Sequence, residues 1–226
     1  MPFRLLFSTI GWTFSFFIMA NVLAAKEKSE ITMVALGDST TAGTPGFLSP
    51  AEEPPNGAGD HESQYAYWVM KRHPEWRVLN RGVNGERSDQ ILKRFESDVT
   101  RFRPQIVIVL AGVNDLYQGH PSEWLERQLK NIYGRALENG IKVMACTILP
   151  YNGADSSVHA RMTEVNHWIR SYAAAHGLGF CDTFHAVEDP KRPGSLISTA
   201  DGLHPDAEGY RKVGEAIADT LERWLV

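Results

Sequence analysis

The sequence predicts an α/β fold, a three-layer α/β/α sandwich around a mostly parallel five-stranded sheet. Three observations carry this. After residue 30, short β-like runs alternate with longer helical patterns, the order that right-handed strand–helix–strand crossovers produce. One run, QIVIVL at residues 105–110, is apolar without interruption between Pro104 and Gly112, as in a strand covered on both faces. The 226 residues, 43% hydrophobic and 22% charged, suit one domain with a well-buried core.

The elements follow in order. Residues 31–36 are an apolar run ending at Gly37 and read as the first strand. A Gly/Pro-rich stretch, 44–60, precedes a helical pattern at 62–72, where the aromatic residues from Tyr65 to Trp68 read as core. Residues 76–79 form a second strand and 88–102 a second helix. The run 105–110 is the third strand. A helix over 122–138 stops at Asn139 and Gly140, and a fourth strand spans 141–149. The helix over 157–175 ends before Gly177, and a fifth strand begins at 178–181. A closing helix covers 205–225, with Pro205 suited to its first turn.

Residues 1–25 stand apart. Arg4 precedes an uncharged stretch, 5–25, closed by Ala24 and Ala25 before charges begin at Lys26. A basic start, apolar middle and small-residue end describe a secretory signal peptide. The stretch also nears the ~20 residues that span a bilayer, so a retained membrane anchor is the second reading. Either way the domain at 26–226 is expected outside the cytoplasm, periplasmic or extracellular. The formal net charge of -4, without a Lys/Arg cluster, argues against a nucleic-acid partner. Cys146 and Cys181 lack metal-ligand spacing and read as buried free thiols rather than a disulfide.

Four polar or Gly-rich sites follow strand ends. Gly37-Asp38-Ser39 comes directly after the first strand, where Ser39 suits either a helix cap or a nucleophile. Thr41 breaks the G-x-S-x-G pattern of an α/β-hydrolase elbow, and no Walker motif occurs. The second strand leads into Asn80-Arg81-Gly82-Val83-Asn84-Gly85, where a glycine can present an unobstructed backbone N–H. The third ends at Gly112-Val113-Asn114-Asp115; Asn114 is a turn former or a neutral donor fit for an oxyanion. Asp201-Gly202-Leu203-His204 precedes the last helix, with a carboxylate within reach of an imidazole. A parallel sheet gathers such sites on one edge. Together they supply a nucleophile, a base, an orienting acid and oxyanion donors, the parts of acyl transfer.

These blocks resemble those of the SGNH hydrolase superfamily, the GDSL-like esterases and lipases, and they run in that family's order across residues 31–226. The resemblance implies an SGNH, flavodoxin-like sheet. It also implies Ser39 as nucleophile, Asp201 and His204 as the rest of a catalytic triad, and Ser39, Gly85 and Asn114 as the oxyanion hole. Gly82 is a rival to Gly85. Thr40 stands where the family motif has Leu. The implied activity is ester hydrolysis through an acyl-enzyme, without metal or organic cofactor. The implied substrate is a small-molecule, lipid or saccharide ester: a short-acyl or sugar acetyl ester, a lysophospholipid, a thioester or an aryl ester. An O-acyltransferase with the same triad is the near alternative, and a silent polysaccharide-binding domain the distant one.

The remaining histidines have plainer readings. His61, between Asp60 and Glu62, has no second cluster at metal-ligand spacing. His73, His159, His167 and His176 lie in or beside helices and read as surface residues. His120 and His185 lie in loops near strand ends, placed to line a pocket and next in line as base.

Overall fold

The computed structural model describes residues 31–225, so the reading of residues 1–25 as a signal peptide or anchor lies outside the described residues. Among the described residues no helix is long and apolar enough to cross a membrane.

Five strands form the central sheet: β1 (Ile31–Gly37), β2 (Trp76–Gly82), β3 (Ile106–Leu110), β4 (Lys142–Cys146) and β5 (Gly179–Cys181). Their spatial order is β2-β1-β3-β4-β5, and every neighbouring pair is parallel. Five principal helices cover it: α1 (Tyr65–Arg72), α2 (Ser88–Lys93), α3 (Ser122–Glu138), α4 (Ser156–His176) and α5 (Ala207–Trp224).

Strand periodicity divides the core in two. Side chains alternate across a sheet, so Val34 and Leu36 of β1 face one way and Met33 and Ala35 the other. The first pair packs with Ile91, Leu129 and Val165 of α2, α3 and α4. The second packs with Tyr65 and Val69 of α1 and Val213 and Ile217 of α5. Each fully buried aliphatic side chain stabilises the fold by about 1.5–3 kcal/mol, so both faces of β1 and β3 are anchored before any loop is considered. The chain crosses from β2, on one side of β1, to β3 on the other. Ligand crevices in open parallel sheets lie at such a reversal, beyond the strands' carboxyl ends. Residue 39 follows β1 at that point.

Several sequence expectations are corrected. Strand β2 runs to Gly82 rather than 79, because Asn80–Gly82 keep pairing with Ala35–Gly37. The helix expected over 88–102 is broken: α2 stops at Lys93, a turn spans Phe95–Asp98, and a 3₁₀ turn spans Thr100–Phe102. The break falls at Arg94, whose side chain turns inward. The pattern at 62–72 splits into a 3₁₀ turn, His61–Ser63, and α1. Strand β4 ends at Cys146 instead of 149. Pro205 precedes the Asp206 N-cap of α5 and is not in its first turn; Asp206 accepts the N–H of Gly209. A small antiparallel pair, Glu188–Asp189 with Arg192–Leu196, was not foreseen. Cys146 and Cys181 are register neighbours on β4 and β5, both buried free thiols.

Candidate active site

The approach to Ser39 begins at Gly37. A Cβ there would sit 2.0 Å from the Leu110 carbonyl and 2.2 Å from Thr41 Oγ1, so only glycine lets β1, β3 and the next turn meet this closely. Asp38 then caps the short helical turn Ser39–Ala42: its Oδ1 accepts the Thr40 N–H at 2.9 Å and the Thr40 hydroxyl at 2.7 Å. Its Oδ2 accepts the N–H of Gly112 at 3.3 Å, tying this turn to the end of β3. Thr40, the departure from the Leu of the family motif, is thus a buried second ligand of Asp38. Burial pushes the Asp38 carboxyl up, and the Thr40 and Gly112 bonds oppose that. Ser39 opens the turn, where a backbone N–H has no intrahelical partner.

Ser39, His204 and Asp201 meet although 165 positions separate the first two. His204 Nε2 lies 2.9 Å from Ser39 Oγ, and His204 Nδ1 lies 2.7 Å from Asp201 Oδ2. The other Asp201 oxygen accepts the backbone N–H groups of Leu203 and His204, at 2.9 and 2.8 Å. These bonds lock the loop into a shape that aims the ring at Ser39. Burial alone would raise the Asp201 carboxyl, but the ring and backbone bonds outweigh it and hold it at about 2. His204 is buried, whereas the Asp201 side chain is 38% exposed.

The second group lies at the ends of β2 and β3. Asn114 sits in the helical turn Val113–Tyr117 and donates one amide hydrogen to the Glu86 carbonyl at 2.9 Å. An amide nitrogen carries two hydrogens, so one stays available. The neighbour of Glu86 is Gly85, exposed, at φ +77°, with nothing within 4 Å of where a Cβ would stand. Gly82, its rival, gives its N–H to Asn80 Oδ1 at 3.0 Å and is packed against Ala42. Gly82 is occupied and buried, and Gly85 is open.

Two residues that sequence reasoning passed over hold this group together. Asp115, fully buried, accepts the N–H and hydroxyl of Ser88 at the start of α2. Arg94 donates to the carbonyls of Gly37 and Arg81 and to the carboxylates of Glu86 and Asp98. Asp115 stands beside Asn114 in the motif and was open to notice; Arg94 has no local signal.

The other histidines are placed elsewhere. His120 stacks on Trp124, with centroids 4.1 Å apart. His185 is exposed, bonded to Asp182 at 2.9 Å, and lines a cleft with Thr147, His159 and Arg170 that has no Ser39, Asp201 or His204 in its wall. Neither is the partner of Ser39. His61 contacts Gln64 and Phe47. His73 is not a plain surface residue: it stacks on Trp76 and bonds Glu222 at 2.7 Å. His159 is half-buried against Gly194. Tyr65 is core, while Tyr67 and Trp68 are only half-buried.

Known proteins place the chain. The GDSL-like Lipase/Acylhydrolase family model matches residues 35–212. An arylesterase of Vibrio mimicus is 23% identical over 93% of this chain and 96% of its own length. A multidomain esterase of Ruminococcus flavefaciens is 27% identical over 56% of this chain, and the match spans 17% of that much longer protein. The solved structure of a GDSL-like lipase from Bacteroides thetaiotaomicron shares the fold, with a TM-score of 0.69 and 22% identity over 93% of this chain and 98% of that one. The chain belongs to the GDSL-like lipase/acylhydrolase family, within the SGNH superfamily, and is a hydrolase acting on ester bonds.

Proposed function

We propose that the chain cleaves carboxylic esters through an acyl-enzyme on Ser39. The observation that carries this is the unbroken hydrogen-bonded chain Asp201–His204–Ser39 beyond the carboxyl end of β1. His204 takes the hydroxyl proton as Ser39 Oγ attacks the ester carbonyl, and the ionised Asp201 orients the ring and stabilises its positive form. The oxyanion receives the N–H groups of Ser39 and Gly85 and the free amide hydrogen of Asn114. His204 hands its proton to the leaving alcohol. Water then adds to the acyl-enzyme, with His204 again as base, and carboxylic acid leaves.

Aryl and short-acyl esters are the substrates we put first. The arylesterase relative matches nearly end to end. Tyr117, 66% exposed, lies one turn from Asn114 and meets Tyr151 edge-on at 6.4 Å. The segment after Tyr151 is bonded to the His204 loop, Asn152 N–H to the Gly202 carbonyl. The exposed Tyr117 ring, backed by the buried Tyr151, suits a flat leaving group.

The test is hydrolysis of p-nitrophenyl esters of increasing acyl length by Ser39→Ala, His204→Ala and the double variant, with circular dichroism to check folding. Each single change is expected to cost nearly as much as both together, because the two act as a unit. A folded Ser39→Ala variant that keeps more than about a tenth of the activity would overturn the mechanism, single-residue losses at such a unit being orders of magnitude larger.

A further inference from the structure

We propose that Arg94 is a positioning residue of the oxyanion hole, clamping the backbone segments that carry its donors into one geometry. The inference rests on the reading of Ser39, Gly85 and Asn114 given above.

The guanidinium reaches separate pieces of chain. Nη2 donates to the Gly37 carbonyl at 2.8 Å, two residues before Ser39. Nη1 donates to the Arg81 carbonyl at 2.7 Å, near the end of β2, and to Asp98 Oδ2 at 2.7 Å. Nε donates to Glu86 Oε2 at 2.5 Å, on the residue after Gly85. The backbone carbonyl of that same Glu86 receives the Asn114 amide. One side chain therefore touches the strand that delivers Ser39, the strand that delivers Gly85, and the residue that orients Asn114.

The loop needs such a clamp. Gly85 is exposed and nothing lies within 4 Å of where its Cβ would stand, so no side-chain packing against that face locates it. Its neighbourhood is held by polar contacts: Asn84 N–H to Glu52 at 2.8 Å, Glu86 to Arg94, and Ser88 to Asp115. The Gly37 carbonyl on the Ser39 strand accepts the Val83 N–H at 3.2 Å as well as the Arg94 guanidinium, and among these side-chain contacts it is Arg94 that joins Glu86 to that strand. The clamp is rigid, because Arg94 is 14% exposed and its charge is matched: Arg81 also bonds Asp98, so two cations face two carboxylates. The break after α2 turns the side chain inward, and only a planar fork can serve acceptors lying in these different directions. Loss of the fork displaces oxyanion donors rather than substrate, and a displacement near 1 Å costs up to ~10²-fold in rate.

The experiment measures kcat and KM on p-nitrophenyl acetate for Arg94→Met, Arg94→Lys, Asn114→Ala and the Arg94→Met/Asn114→Ala double variant, with Tm for each. Ser39→Ala is run beside them. Arg94→Met is expected to lower kcat by roughly 10- to 100-fold, with KM within about threefold. The double variant is expected to lose little beyond Asn114→Ala alone, because both changes damage one hole. Wild-type kcat in folded Arg94→Met, or losses that multiply in the double variant, would overturn the proposal. Should Arg94→Met not fold, Arg94→Lys decides, since it keeps the charge but not the fork. Lowered kcat at unchanged KM supports the clamp; wild-type kcat refutes it. Residual activity in Ser39→Ala would instead sink the acyl-enzyme reading, so the two failures are separable.

Discussion

The buried Asp115 carboxylate takes both hydrogens that Ser88 can give, the backbone N–H at 3.0 Å and the hydroxyl at 2.7 Å. The bond ties the start of α2 to the turn that carries Asn114, and so fixes the far end of the Gly85 loop. The carboxyl is held out of solvent. Burial pushes the Asp115 carboxyl up to about 6, the Ser88 bonds recover part of that, and the nearby Asp38 adds to it.

Stability should therefore depend on pH in a definite direction. Asp115 titrates near 6 in the folded chain and near the ordinary 3.8 when unfolded, so between these values the folded state binds the extra proton. Its contribution falls as pH rises from about 4 to 6 and is constant above, a loss of about 3 kcal/mol. Asp201, held at about 2, acts oppositely: it stabilises above pH 4 and loses that effect as pH falls toward 2. Urea melts of wild type and Asp115→Asn at pH 4.5 and 7 check this. The wild-type difference should shrink in the variant; an unchanged difference would refute the assignment to Asp115.

Gly37→Ala should be badly tolerated. The new methyl meets a backbone carbonyl, Leu110 O, which cannot swing away as a side-chain tip can. A cost of about 3 kcal/mol or more is expected, at the upper end of overpacking, with activity lost because Ser39 moves with its strand. Chemical denaturation of the purified variant measures it, and wild-type stability would show that β1 and β3 separate more easily than described.

Asn114→Ala should lower kcat by ~10²–10³, the usual cost of one oxyanion donor. The fold should persist, since Asn114 is half-buried and its amide bonds one loop carbonyl. Unchanged kcat in a folded variant would remove Asn114 from the mechanism.

Export is expected from residues 1–25, on their basic start, apolar middle and small-residue end. Cell fractionation with N-terminal sequencing of the native protein checks this. A product beginning near Lys26 outside the cytoplasm supports cleavage, and one retaining Met1 in the membrane supports an anchor. A cytoplasmic product still starting at Met1 contradicts both.

The alternation of strand and helix is written in local hydrophobic period, so the α/β class and the order of elements were legible without coordinates. So were the blocks around Ser39, Asn114 and Asp201–His204, because each directly follows a strand or precedes a helix and the parallel sheet brings such ends to one edge. Contacts between distant residues were not legible. Gly82 and Gly85 are alike in sequence; Asn80, by taking the N–H of Gly82, separates them. His120, His185 and His204 are each an imidazole near a strand end, and only the backbone bonds that shape the 201–204 loop aim one ring at Ser39. Arg94 reads as an ordinary helical charge, yet it sits at the break after α2 and reaches Gly37, 57 residues away. Periodicity and block order, being properties of neighbouring residues, were determined by the sequence alone. The occupied N–H of Gly82, the pairing of His204 with Ser39 and the reach of Arg94 to Gly37 came from tertiary structure, because each depends on which polar atoms meet when remote segments pack.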